Sequence, residues 1–505
     1  MHASLSDEAS ISVFGRRRRS RRADRLSEPL ADRAFARASG APLVEGNSVR
    51  LLKDASENYH AWLEAIAGAR RTIHFEMYIV HEDEQGAIFA NALVRKAGDG
   101  VCVRLLYDWM GGFGKTSHAF WRRLRQGGVD VRCYNPPRFD HPLAWLSRDH
   151  RKAIIVDGRV AFVMGLCVGQ TWVGDPARHR DPWRDTGIEL RGPAVADVEA
   201  AFADAWASAG GTLSAEALVD PPPAAGQVAV RVVATLPAAG GLLRVDQLVA
   251  ALARKTLWLT DAYYGGTASY VQALSAAARD GVDVRLLVPG ASDLPVVRNL
   301  SRAGYRPLLE AGVRIFEWNG SMIHAKTAVA DGRWARVGST NLNVASWVGN
   351  RELDVIIENV AFARQVEDMF LADLENATEI LLEGNHVRAP AGSPHRDHPE
   401  RGGTGSSGRM MAGALRVGRA VGAAITQTRA LGPAEANVAL AGAILVGVLA
   451  ALAFIYPRGV AYPVGVFAAW CALALADHAI RMMVRHRRRK SSAPQMQARD
   501  ARQAP

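Results

Sequence analysis

Cysteine is scarce: Cys102, Cys133, Cys167 and Cys471 are the four in 505 residues, and none is spaced as CxxC or as a zinc ligand set. That pattern excludes a disulfide framework and a structural zinc site, and it fits a reducing compartment. No apolar run of signal-peptide length occupies the first 22 residues, so no secretion signal is evident. Net positive charge is also missing from most of the chain, despite a total of +11. Arg16, Arg17, Arg18, Arg19, Arg21 and Arg22, with Arg481, Arg485, Arg487, Arg488, Arg489 and Lys490, carry twelve positive charges, one more than that net value. The remainder is close to neutral, so no nucleic-acid partner is expected. Basic clusters beside apolar segments suit anionic lipid headgroups or topology signals instead.

What is present is a chain that is 49% hydrophobic, with material for a large core and for about three units at roughly 100 to 200 residues per domain. Residues 1–40 read as a disordered basic arm, and 386–430 as a linker rich in Gly, Pro, Ser, His and Arg. Val438 to Tyr456 is 19 residues without a charge, and Val460 to Ala476 adds 17 more after Pro457, Arg458 and Gly459. At 1.5 Å per residue the first stretch reaches roughly 28 Å, so 431–490 reads as a transmembrane helical hairpin, followed by a disordered tail at 491–505. Arginines outside both ends direct them to the cytoplasm, and a buried soluble hairpin is the competing reading.

The region between is internally repeated. "GVCVRLL" begins at Gly100 and "GVDVRLL" at Gly281, an offset of 181. "HRKAIIVD" at 150–157 and "HAKTAVAD" at 324–331 are offset by 174. Similar offsets point to a duplicated unit, 41–225 and 226–385, in which strands alternate with amphipathic helices as in a βαβ layout with a parallel or mixed sheet.

On a strand, His150 and Lys152 share a face, as do His324 and Lys326. Asp157 and Asp331 fall at an odd separation and precede glycine, which marks them first as turn and support residues. Two imidazoles and two ammonium groups brought together suit phosphodiester transfer through a phosphohistidine. One neutral imidazole attacks phosphorus, the other protonates the leaving alkoxide, and the lysines neutralise the phosphoryl oxygens, so neither a metal nor another cofactor is needed. Asp185, 35 residues after His150, and Glu352, 28 after His324, are candidate carboxylates to fix the imidazole tautomers. The stretch "GSTN" (338–341) offers Ser339 and Asn341 to a phosphate. Its counterpart "MGLCVG" has Cys167 where a polar amide is expected, which shifts phosphate binding toward the second half.

These segments, with "GNSVRLLKD" (46–54), "IHFEMYIVHEDEQG" (73–86) and "PWRDTGIELRGPAVADVEAAFADAW", resemble the phospholipase D superfamily and, within it, the bacterial cardiolipin synthases, over roughly residues 42 to 385. The resemblance implies an α/β fold of two duplicated α-β-α sandwich domains packed face to face. It also implies catalytic roles for His150 and His324, phosphate binding by Lys152 and Lys326, Asp157 and Asp331 as the motif aspartates, and Asn341 as the polar residue after the second motif. The expected activity is a membrane-attached transphosphatidylase that joins two phosphatidylglycerols into cardiolipin and glycerol, on the cytoplasmic side of a bacterial inner membrane. Headgroup hydrolysis or exchange, a nuclease and an inactive scaffold are the alternatives. Trp109, Trp121, Trp145, Trp172 and Trp183 either pack the core or line an acyl or headgroup entrance.

Overall fold

The structure, a computed structural model, describes residues 31–137, 147–213, 221–292, 301–302, 304–383 and 386–388, with isolated positions between 456 and 473. The expected arm at 1–30, most of the linker, the hairpin and the tail lie outside the described residues. One boundary moves: residues 31–39 are helical rather than part of an irregular arm. Phe35 is buried there, and Asp32 accepts a hydrogen bond from the buried guanidinium of Arg231, which ties this helix to the second half. Among the described residues no helix is long and apolar enough to cross a membrane.

The first half runs β1 (Val44–Lys53), α1 (Asp54–Gly68), β2 (Thr72–Met77), α2 (Glu84–Gly98), β3 (Cys102–Asp108), α3 (His118–Gln126), β4 (Asp130–Tyr134), β5 (Lys152–Val156), β6 (Val160–Met164), β7 (Thr186–Arg191) and α4 (Val195–Ser208). The second runs β8 (Val228–Thr235), α5 (Gly241–Leu252), β9 (Thr256–Thr260), α6 (Ala268–Arg279), β10 (Asp283–Pro289), α7 (Arg306–Glu310), β11 (Arg314–Trp318), β12 (Thr327–Ala330), β13 (Trp334–Gly338), β14 (Glu352–Glu358), α8 (Val360–Glu375), β15 (Ala377–Glu383) and β16 (His386–Arg388). The helix starts are written in the sequence: Asp83 accepts from the Gly86 amide, Ser117 from Phe120, Thr267 from Tyr270 and Asn359 from Phe362.

Strand order outward from the centre is β1-β7-β6-β5-β2-β3-β4 in one half and β8-β14-β13-β12-β9-β10-β11-β15-β16 in the other, so the same winding is used twice. The β2-β3-β4 and β9-β10-β11 ladders are parallel, and the remaining neighbours are antiparallel. A short antiparallel contact of β1 with β8 joins the two into one sheet.

Both motif strands are buried on both faces, which explains their continuous aliphatic sequence. In β5, Ile154 and Val156 enter the core of the first half, whereas Ala153 and Ile155 enter a second core. That second core also takes Val329, Ala335, Val337, Leu353 and Val355 from the other half, with Phe202 and Trp206 of α4 and Phe362 and Phe370 of α8. The halves therefore pack through one shared apolar layer, and the outer helices α5 and α6 cover a third core.

Candidate active site

The motif aspartates sit at the far ends of β5 and β12 from the histidines. Asp157 accepts hydrogen bonds from the backbone amides of Arg70, Arg71 and Thr72, at 2.9, 2.7 and 2.9 Å. Asp331 does the same for Arg254, Lys255 and Thr256, at 2.9, 2.7 and 3.0 Å. Both hold left-handed backbone, φ 55° and 52°. Each carboxylate thus ties its turn to the start of the neighbouring strand, away from the reacting groups. Asp157→Asn keeps the turn geometry but weakens the charge-assisted bonds. It is expected to cost about 1–3 kcal/mol of stability in urea unfolding while activity per folded molecule changes by less than about threefold.

The histidines lie at the other end, where the halves meet. His150 Nδ1 is 3.0 and 2.9 Å from the two Glu352 oxygens, and His324 Nδ1 is 2.7 Å from Asp185 Oδ2. The carboxylates are exchanged: each histidine is oriented by the acid of the opposite half, not by the acid that follows it in sequence. The backbone shows why. The His150 amide donates to the Arg351 carbonyl at 2.9 Å, and the His324 amide to the Arg184 carbonyl at 2.6 Å, so each motif runs beside the segment that carries the other half's acid.

The arginine preceding each acid fastens this crossing. Arg184 donates to Asp373 on α8 of the second half at 2.8 Å and to Asp54 at 3.0 Å. Arg351 binds Asp204 and donates to Ser208 at 2.7 Å, both on α4 of the first half, and to the Tyr134 hydroxyl at 3.1 Å. Sequence reasoning missed this pair, although the signal is present as the dipeptides Arg184-Asp185 and Arg351-Glu352.

Each carboxylate has further donors. Glu352 accepts from Ser339 Oγ at 2.7 Å and from Asn350 Nδ2 at 3.1 Å. Asp185 accepts from Trp172 Nε1 at 3.0 Å and from the Thr186 amide at 2.8 Å. Ser339 therefore serves the orienting acid and not an open phosphate position. The space for Asp185 comes from Gly165, where a Cβ would stand 2.2 Å from Oδ1. Burial alone would raise the pKa of either acid, but His324 and Lys326 draw Asp185 below the usual range, and His150 and Lys152 do so for Glu352.

With Nδ1 held, Nε2 is the ring nitrogen left without a protein partner among the described residues. Burial pushes the His150 pKa down to about 4, with Glu352 opposing and Lys152 adding to the shift. His324 falls to about 3, through burial and Lys326 against the pull of Asp185. Both rings are neutral at pH 7. Lys152 and Lys326 donate to the carbonyls of His150 and His324, two residues back, and Lys152 lies over the Tyr78 ring at 5.0 Å. Tyr78 also meets the edge of His150, and Trp172, Trp183 and Tyr263 surround His324 at centroid distances of 5.8, 5.4 and 5.9 Å. Trp172 and Trp183 thus pack the core and the site at once; Trp121 stacks on Tyr107 away from it, and Trp145 lies outside the described residues.

Two neutral imidazoles with carboxylate-fixed tautomers, flanked by two lysines on a duplicated α/β sheet, define a phosphodiester-transfer protein of the phospholipase D type. The family profile described as cardiolipin synthase, PLD-like domain, matches residues 62–166 and 249–374. Cardiolipin synthase of Halalkalibacterium halodurans is 31% identical over 378 residues, 72% of this chain and 73% of that one. Cardiolipin synthase A of Pseudomonas aeruginosa is 35% identical over 361 residues, 70% and 72% of the two chains. The chain belongs to the cardiolipin synthase family. The fold is shared with phosphatidylserine synthase of Haemophilus influenzae, TM-score 0.55 at 15% identity, covering 69% of this chain and 91% of that one.

Proposed function

We propose that the protein transfers a phosphatidyl group from one phosphatidylglycerol to the headgroup hydroxyl of a second, giving cardiolipin and glycerol. The observation that carries the chemistry is the exchanged pairing of His150 with Glu352 and His324 with Asp185, because it brings both imidazoles to one seam between the halves. One Nε2 lone pair attacks phosphorus, and the bond to the departing glycerol oxygen breaks as the other imidazole delivers a proton to it. That second imidazole, now neutral, takes the proton from the acceptor hydroxyl. The acceptor oxygen then displaces the histidine.

A general acid needs a proton that a ring titrating near 3 or 4 does not hold in the empty site. The substrate supplies the correction. A phosphodiester anion beside Lys152 and Lys326 offsets the positive field that disfavours imidazolium, and each acid partner then stabilises it. Burial holds the Lys326 pKa down to about 8, with Lys152 adding to the shift and Asp185 opposing it. Raising the pH through that value removes a positive charge facing the anionic substrate. The expected result is that kcat/KM falls above about pH 8, and that Lys326→Arg, which cannot deprotonate, flattens this limb while lowering the plateau. A pH profile measured on detergent-solubilised phosphatidylglycerol checks it.

Residues 431–490 serve, in this reading, as a membrane-embedded hairpin that holds the catalytic halves at the cytoplasmic face of the inner membrane, near anionic headgroups. The support is the pair of uncharged stretches and the flanking arginines. The test of the function is incubation with phosphatidylglycerol labelled in both acyl chains and headgroup: cardiolipin with free glycerol supports it. Phosphatidic acid with glycerol would identify a hydrolase, and no lipid turnover would reject it.

A further inference from the structure

Three charged residues are buried in the shared apolar layer beside the first motif, where the second motif has uncharged ones. Glu76 on β2 pairs with Leu106 on β3 and Ala153 on β5, both members of that layer, and is fully buried. Asp149 and Arg151 flank His150 and are 2% and 0% exposed. The motif aspartates bind Thr72 and Thr256, which makes Thr260 the equivalent of Glu76. Ile323 and Ala325 flank His324 in the same way, and both belong to the apolar layer.

Arg151 spans the seam. Its guanidinium donates to the Ala201 carbonyl on α4 at 2.7 Å, the Glu352 carbonyl at 3.2 Å and the Thr235 carbonyl at the end of β8 at 3.5 Å. One side chain thus ties the neighbour of His150 to the strand that carries its orienting acid. A charge buried this deeply is costly unless it is compensated. Arg148 faces Asp108 at 4.0 Å and Arg351 binds Asp204, which leaves Glu76 and Asp149 for Arg151. Neither Glu76 oxygen nor Asp149 Oδ1 has a donor among the described residues, yet the two carboxyl groups lie within hydrogen-bonding reach of each other. A proton held between them gives these oxygens a partner and leaves one negative charge for one guanidinium. Burial, then the charge of Asp149, pushes Glu76 well above the ordinary carboxylate range, against Arg151 and Arg351. Burial raises Asp149 too, against Arg151.

We propose that Arg151, with Glu76 and Asp149 sharing one proton, is a positioning cluster for the His150–Glu352 pair, built into the first half alone. This rests on the phosphodiester-transfer reading of the site. The second half shows that apolar residues fill this layer, so the charges answer to the placement of His150 and Glu352 and not to core packing.

Removing one member strands a buried charge, so the three are replaced together by apolar side chains of similar shape, Glu76→Leu, Asp149→Leu and Arg151→Met. The triple variant is expected to fold and to lose about ten- to a hundredfold in kcat with little change in KM for phosphatidylglycerol. Added to His324→Ala it is expected to slow the chemistry left at His150, whereas added to His150→Ala it is expected to do little more. A folded triple variant with the parent's kcat, or an equal loss in both backgrounds, would overturn the proposal. A second measurement needs no turnover. Glu76→Gln gives the shared hydrogen bond an amide N–H that does not titrate. In the parent, the carboxyl proton contributes stability that is present below the ordinary glutamate value of 4.5 and is lost as pH rises toward the raised folded value. The melting temperature of Glu76→Gln is therefore expected to gain about 2 °C or more on the parent's between about pH 5 and pH 8. The groups around Glu76, namely Asp149, Arg151 and Arg351, with His74, Glu199 and Arg132 farther along the same face, are common to both proteins. A gap that does not change with pH would overturn the proposal. If the parent releases phosphatidic acid instead of cardiolipin, the acceptor assignment fails while both comparisons still test the cluster.

Discussion

Replacing His150 or His324 with alanine is expected to lower cardiolipin formation by about a thousandfold or more, with folding retained because both rings lie at the seam and not within either hydrophobic core. The two losses are expected to differ in kind. Without the attacking imidazole no covalent lipid adduct forms. Without the proton donor an adduct still accumulates slowly, because the attack remains available and only protonation of the departing glycerol is lost. Single-turnover trapping with labelled phosphatidylglycerol separates the cases and assigns the two roles, which the near symmetry of the halves leaves equivalent on geometry alone.

The second large effect concerns the exchanged acids. Glu352→Gln and Asp185→Asn are each expected to cut turnover by up to about 10,000-fold, because an amide carries no charge to stabilise the imidazolium and can turn its NH2 toward Nδ1, which favours the wrong tautomer. The crossing adds a sharper expectation. In a His324→Ala background, Glu352→Gln is expected to slow whatever chemistry remains at His150, whereas Asp185→Asn is expected to do little more, since the ring it orients is gone. The His150→Ala background is expected to show the mirror result. Pairing within each half, as chain order suggests, gives the opposite pattern. Arg184→Lys and Arg351→Lys are expected to lower kcat with little change in KM, because these guanidiniums hold the acids through Asp373 on one side and Asp204 with Ser208 on the other.

Much of this was legible in the sequence. The repeated HxK spacing and the Asp-Gly turns after it depend on local rules, side-chain alternation and left-handed turn backbone, and a sequence carries such rules in full. The separation of Asp157 and Asp331 from the reacting end follows from the Asp-Gly turn that closes each motif strand. The exchange of Asp185 and Glu352 was not legible, since it is decided by how two sheets pack through Val163, Val337, Leu353 and their neighbours, contacts that no spacing encodes. The dual role of Trp172 was hidden for a related reason: an indole among aliphatics reads as core until its N–H is seen to end on Asp185. The helix at 31–39 escaped notice because the run of arginines before it dominates composition, while its anchors, Phe35 and Asp32, act on the distant Arg231.

The account depends on one phosphorus atom bonding in turn to a histidine and to an acceptor oxygen. The most direct measurement is to stop a reaction with phosphatidylglycerol by rapid denaturation at alkaline pH, digest the protein and map the lipid-phosphate adduct by mass. A phosphatidyl group on the peptide containing His150 or on that containing His324, forming and decaying at rates compatible with cardiolipin production, is the expected result. Cardiolipin formed with no histidine adduct, or an adduct on any other residue, would contradict it.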